Sequence, residues 1–380
     1  MNIFTGDESG LVKSITISQK LKENAASSIV KTWGKIDRSK SIQLMHYTKG
    51  DNKKLIVARK NGQISILDPN EEGKSCQEFS EPFVTGEQKS SARFVGLFAN
   101  NSTLITCTDQ GIVQYRSILE DKSSTIEETL TLVPDLCRLR VHPKEHHIFA
   151  CGGKERELSV WDVNAHKEGN CLMKSQKEKE SKAGLVWMSK NVSHDFLDLR
   201  VPVWITDLQF LNEQETTKLV VGTKYNQIRI YDTKAKRRPV SDYNIGNNPV
   251  LSLIVGRNSN EIIFTDTVCN VFSVDVRTGK ILGQFKGFSG SVTNLAVATE
   301  SSLLVSVAMD RFLRIHEIDA SRELVKKTYL KQRLTCVVVD ESEDGILGYS
   351  KKDAVKDDLE EEKFWEDMEE VKLKKRKTKH

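Results

Sequence analysis

Long apolar runs, paired cysteines and catalytic signatures are all missing from this chain of 380 residues. No apolar stretch approaches the ~20 residues that a membrane-spanning helix needs. The opening MNIFTGDESG has neither a basic segment nor an apolar one, so no signal peptide is expected. The seven cysteines form no CxxC pair, and an odd, unpatterned set predicts a reducing compartment and structural thiols. Cys107, Cys151 and Cys336 sit in apolar, strand-like runs, where a thiol behaves as a small hydrophobe. Net charge is only +4, too small for a strong uniform field toward nucleic acid.

Chemistry is equally hard to assemble. There is no GxxxxGK[ST], and Gly152-Gly153-Lys154 reads as a hairpin turn rather than a phosphate cradle. There is no HExxH. His142 and His146 stand four apart, but Pro143 lies between them and no third ligand accompanies them, which makes a poor metal site. Gly287-Phe288-Ser289-Gly290 lacks the last glycine of a nucleophile elbow and no helix follows it. Asp7, Asp109 and Asp310 fall where turns are expected, and turn chemistry explains them. The expectation is a protein that is not an enzyme, with no cofactor, metal or small-molecule substrate.

What is there is a repeat. GGKERELSVWDV (152–163) ends a hairpin-like unit in Trp161-Asp162. Sister units are IFTGDESGLVKSIT (3–16), KLIVARKNGQISILD (54–68), TLITCTDQGIVQYR (103–116), KLVVGTKYNQIRIYD (218–232), EIIFTDTVCNVFSVD (261–275) and LLVSVAMDRFLRIHE (303–317). Asn61-Gly62 between alternating apolar runs is a strong hairpin signal, because the turn needs positive φ angles. Strand ends recur at spacings of 52, 48, 46, 70, 43 and 42 residues, close to the period of a four-stranded propeller blade. Seven inner strands are predicted within 42–50, 92–100, 136–143, 204–211, 250–258, 292–300 and 334–342.

The first hairpin has no inner strand before it, and the last inner strand has no hairpin after it. Joining them closes a ring and removes the exposed edge. The predicted fold is all-β: a seven-bladed WD40-type β-propeller over 1–345, closed by a C-terminal strand on the N-terminal blade. Deleting 332–350 is expected to unfold or aggregate it. A Gly-His before the inner strands is missing, and KGFSGSV (286–292) is its nearest relic.

The long spacing marks an insertion in blade four, residues 164–203. Its first part is charged and predicted to be a loop. Its second part, NVSHDFLDLRVPVW (191–204), mixes apolar and charged residues with Pro202 fixing the chain, and reads as an ordered lead-in or a partner surface. Residues 346–380 read as a tail, acidic and then basic. Phe364, Trp365, Met368 and Val371 recur at helical spacing and predict a short docking helix. Lys372, Lys374, Lys375, Arg376, Lys377 and Lys379 predict nuclear localisation or a contact with RNA phosphates.

In order along the chain, GGKERELSVWDV, NVSHDFLDLRVPVW, KGFSGSV, MDRFLRIHEI and TYLKQRLTCVVVD resemble the nucleolar WD-repeat proteins that act in assembly of the large (60S) ribosomal subunit. The resemblance spans essentially the whole chain and is most specific at 191–204. It implies a non-catalytic factor in the nucleus and nucleolus, monomeric within a pre-60S particle, contacting assembly factors and pre-rRNA. It also implies release by an AAA-type ATPase. Partner-binding candidates are then Lys154 and Glu155 in blade four, Asp198, Arg200 and Trp204 in the insertion, and Asp310, Arg311 and Arg314 in blade seven. Lys154 and Arg311 are turn residues with long charged side chains, suited to a phosphate. Asp310 at its turn is equally suited to bracing its own hairpin. A rival reading is a WD40 adaptor of a ubiquitin ligase or chromatin complex, which would use the channel mouth independently of RNA.

Overall fold

The computed structural model describes residues 1–17, 28–48, 50, 52–81, 92–118, 124–167 and 183–341. The tail candidates Phe364, Trp365, Met368 and Lys372 to Lys379 lie outside these residues, as does most of the charged loop. Among the described residues the strands form seven antiparallel sheets of four. Each inner strand neighbours the inner strands of the sheets before and after it, so the sheets are blades of a ring. All seven predicted hairpins and all seven predicted inner strands are present. The molecule is a seven-bladed β-propeller.

Closure follows the expected route. Leu334–Asp340 is the inner strand of blade one and pairs antiparallel with Asn2–Asp7, with Ile3 opposite Val339 and Thr5 opposite Val337. Side chains reinforce the seam: Tyr47 Oη donates to Asp340 Oδ2 at 2.8 Å and Thr293 Oγ1 donates to the Leu334 carbonyl at 3.0 Å. The two ends of the described chain are thereby locked into one sheet.

The core is not central. It is split into seven apolar clusters, one in each seam between blades. Second strands therefore have apolar neighbours on both faces, and Leu303–Ala308 is buried at every position. Outer strands face solvent and are amphipathic at best, as in Lys74–Ser80. Blades approach closely where the second strand carries glycine. A Cβ on Gly152 would lie 2.6 Å from Ile205 Cδ1, and one on Gly222 would lie 2.6 Å from Val250 Cγ1, so blades four, five and six pack backbone against side chain.

Cys107, Cys151 and Cys336 are buried as expected. Burial pushes the Cys151 thiol up to about 11 and that of Cys336 to about 12, so both stay protonated and inert. His142 and His146 serve their own turn. The Glu145 N–H donates to His142 Nδ1 at 3.0 Å, and His146 bridges the Pro143 carbonyl and Asn100 at 2.9 Å each.

The described parts of the excursion, 164–167 and 183–203, include regular structure. Val163–Lys167 is one helical turn, and Leu185–Met188 is the outer strand of blade four, pairing Val160 with Trp187.

Candidate docking site at the junction of blades four and five

In an antiparallel meander the chain turns alternately at the two ends of the sheet. The turn between second and third strands thus shares one end of each blade with the link to the next blade. Hydrogen bonds join the two. In blade four the Lys154 N–H donates to the Asp135 carbonyl at 3.0 Å and the Glu155 N–H to the Val203 carbonyl at 2.8 Å. In blade five, Gln227–Asp232 follows the equivalent turn, whose Lys224 N–H donates to the Trp204 carbonyl at 2.9 Å.

This arrangement gathers Lys154, Glu155, Arg200 and Trp204. Lys154 forms a backbone bridge with Trp204 and holds its ammonium 5.0 Å from the Trp204 ring centroid. Lys224 places a second ammonium 3.8 Å from the same centroid. Arg200 Nη2 lies 3.5 Å from Glu155 Oε2. Glu155 takes a left-handed backbone, φ 52, at the turn position that Gly10, Gly62 and Gly111 occupy in blades one to three. A non-glycine residue there carries strain of about 1–2 kcal/mol. Lys224 was missed from sequence, although it opens the same turn as Lys154 one blade later.

The link itself is tied down at its base and projects at its tip. Asn191 Nδ2 donates to the Val201 carbonyl at 2.6 Å, and Val203 is buried in the seam. Beyond them the chain stands clear of the disc, with Phe196 93% exposed. Asp198 sits at this tip with φ 59 and meets His194 Nδ1 at 2.8 Å.

Beside the link opens one mouth of the central channel, a cavity of about 590 Å³ lined by Arg93, Arg138, Trp204, Thr206 and Lys224 and by no carboxylate. Beneath it Asp207 is fully buried and ties three blades together. It meets Arg138 Nε at 2.9 Å and Arg140 Nη2 at 3.4 Å from blade four, and accepts from Ser252 Oγ at 3.0 Å in blade six. Burial alone would raise its carboxyl. The two guanidinium groups and the Leu253 and Leu208 N–H groups outweigh burial and hold it below the usual carboxylate range.

The blade seven candidates separate. Arg314 is fully buried and clasps Asp310 with both nitrogens, at 3.0 and 2.6 Å. Asp310 also accepts from the N–H groups of Phe312 and Ser289 at 3.2 and 3.1 Å. The pair braces its turn, and naming Arg314 as a partner contact is corrected here, because a guanidinium without water cannot meet a partner. Arg311 is exposed, with φ 72. Blades four and seven lie as far apart as a seven-blade ring allows, so Lys154 and Arg311 share an end of the disc but form no common patch.

Large apolar side chains are exposed mainly at this same end: Phe196, Leu197 and Leu199 at the tip, then Tyr225, Val268 and Met309 in the corresponding turns of blades five, six and seven. Among the described residues the connections at the other end carry Val240 alone. The other channel mouth, about 900 Å³, is bordered by Glu213, Glu300, Asp340 and Glu341 with Lys53 and Arg257.

The fold defines a WD-type β-propeller with an ordered, projecting link between blades four and five. No protein-family model matches the chain. It is 33% identical to WD repeat-containing protein 74 of Bos taurus over 89% of this chain and 80% of that protein. The human protein of the same name is 32% identical over the same shares. Ribosome biogenesis protein nsa1 of Schizosaccharomyces pombe is 26% identical over 98% of this chain and 96% of that protein. The chain belongs to the WD repeat-containing protein 74 family of WD-repeat ribosome biogenesis proteins.

Proposed function

We propose that the protein is a non-catalytic scaffold in assembly of the large ribosomal subunit, acting in the nucleus and nucleolus. It docks on pre-60S particles among assembly factors and pre-rRNA, and an AAA-type ATPase releases it. The observation that carries this reading is the near end-to-end likeness to proteins named for ribosome biogenesis. The structure supports a scaffold physically. Its ion pairs brace turns and bolt blades together, and its exposed apolar side chains gather at one end of the disc. The basic block from Lys372 to Lys379 supports entry to the nucleus.

The test is sedimentation of the tagged full chain from cell extract, with RNA sequencing of each fraction. Co-migration with precursors enriched in unprocessed large-subunit rRNA is expected. A small RNA-free complex would sink the reading and favour a ubiquitin-ligase or chromatin adaptor. Loss of the ATPase activity should trap the protein on the particle, and unchanged release would remove that step.

A further inference from the structure

The tip of the link between blades four and five presents apolar side chains that the chain leaves uncovered. Phe196 is 93% exposed, Leu197 61% and Leu199 58%. Their backbone is nonetheless held in place. Asp195 Oδ1 accepts from the N–H groups of Leu197 and Leu199, both at 2.9 Å. The Asp195 N–H donates to the Leu199 carbonyl at 3.0 Å, and the Asp198 N–H donates to the Asp195 carbonyl at 3.0 Å.

We propose that this tip is an anchor that inserts Phe196, Leu197 and Leu199 into an apolar cleft on a protein of the particle, with an acidic rim meeting Lys154 and Lys224. The inference rests on the assembly reading above and deepens it by assigning this site to protein rather than RNA. Three observations carry it. Large apolar side chains gain from leaving water; a phosphate backbone offers them nothing, and an RNA base could stack on Phe196 but would leave Leu197 and Leu199 in water. The tip is already framed, so docking orders little that was free before. The carboxylates around the tip already have partners within the chain: Asp195 accepts from backbone N–H groups, Asp198 meets His194, and Glu155 in the blade-four turn pairs with Arg200. Behind it, Lys154 and Lys224 face Trp204 rather than a carboxylate, leaving two cations for the partner. A second copy of this chain is the rival occupant, since its far mouth combines Phe210 and Leu211 with Glu213 and Glu300. Such a contact is head-to-tail and would grow open chains rather than stop at a dimer.

The experiment places a photoreactive benzoyl-phenylalanine at position 196 of the tagged full chain, expressed in cells. After irradiation and RNase treatment, the adduct is mapped by peptide mass spectrometry. An adduct to another protein, at an apolar cleft flanked by Asp or Glu, is expected. An adduct to RNA, an adduct to a second copy, or none from particle-bound protein overturns the proposal. A second arm changes Phe196, Leu197 and Leu199 to Ala together. Particle association should weaken by about 30-fold or more, the scale of an interface hot spot, with an unchanged melting temperature. Undiminished association overturns it. Should wild type fail to co-migrate with large-subunit precursors, the assembly reading falls alone. A mapped cleft on another protein would still support the anchor.

Discussion

Two places on one end of the disc, the blade seven turn and the blade four–five junction, use similar residues in opposite ways. In blade seven the paired charges, Asp310 and Arg314, point inward. Arg314 is sealed from water and its countercharge, Asp310, receives two backbone N–H groups as well. At the junction the charges point outward, and Lys154 and Lys224 lie against the Trp204 ring. A repeating sheet offers the same turn seven times. What each turn does depends on whether the neighbouring blade and link cover it. The lesson is that a turn aspartate followed by arginines is no sign of a binding surface until its burial is known.

The largest effect should come from breaking the inward pair. Asp310→Ala leaves Arg314 buried without its countercharge, and stability should fall by about 3–5 kcal/mol. Thermal melting checks this, and particle association should fall only as the folded fraction falls. A loss of association without a loss of stability would mean that blade seven is also a contact.

Acid comes next. Burial opposes ionisation of Asp310, but the Arg314 pairing and backbone N–H groups prevail and hold its carboxyl below the usual range. Asp207 is held low likewise. The unfolded chain therefore takes up protons first as pH falls. The stability from these groups is complete above the ordinary carboxylate pKa of about 4 and is lost below it. Burial, aided by Arg314, holds the His316 imidazole below its ordinary value, so a shallower loss should begin as pH falls below about 6.5. Melting temperature against pH should show both steps, and Asp310→Ala should shrink the acid one.

A smaller effect separates the two strained turns. Arg311→Gly relieves a left-handed backbone and should raise stability by about 1 kcal/mol. Glu155→Gly gives the same relief but removes the partner of Arg200, and association should suffer. Equal behaviour of the two in a sedimentation assay would erase the distinction between the sites.

The smallest concerns coupling. Lys154→Glu and Arg311→Glu lie across the ring, so their effects on association should add to within about 0.5 kcal/mol. A larger coupling in a double-mutant cycle would mean that one partner spans the channel.

Alternating apolar residues and glycine-bearing turns made the hairpins and inner strands readable, including the closing pair formed by Asn2–Asp7 and Leu334–Asp340. Outer strands were not readable. Lys74–Ser80 is largely polar because one side meets water, and Leu185–Met188 has only four residues after a long charged stretch of sequence. At the site, Lys154, Glu155, Arg200 and Trp204 could each be named. Their meeting could not, nor could the part played by Lys224.

The divide has a physical cause. Side-chain alternation and turn geometry are local, so a linear reading of this chain yields seven hairpins, their inner strands and a ring that must close. Burial and juxtaposition are not local. Arg314 is sealed because Asp310 and the rings of Phe288 and Phe312 surround it. Lys154 and Lys224, seventy residues apart, share one tryptophan because two blades pack side by side. Phe196 stands in water because the link is tied at its base and the disc ends beneath it.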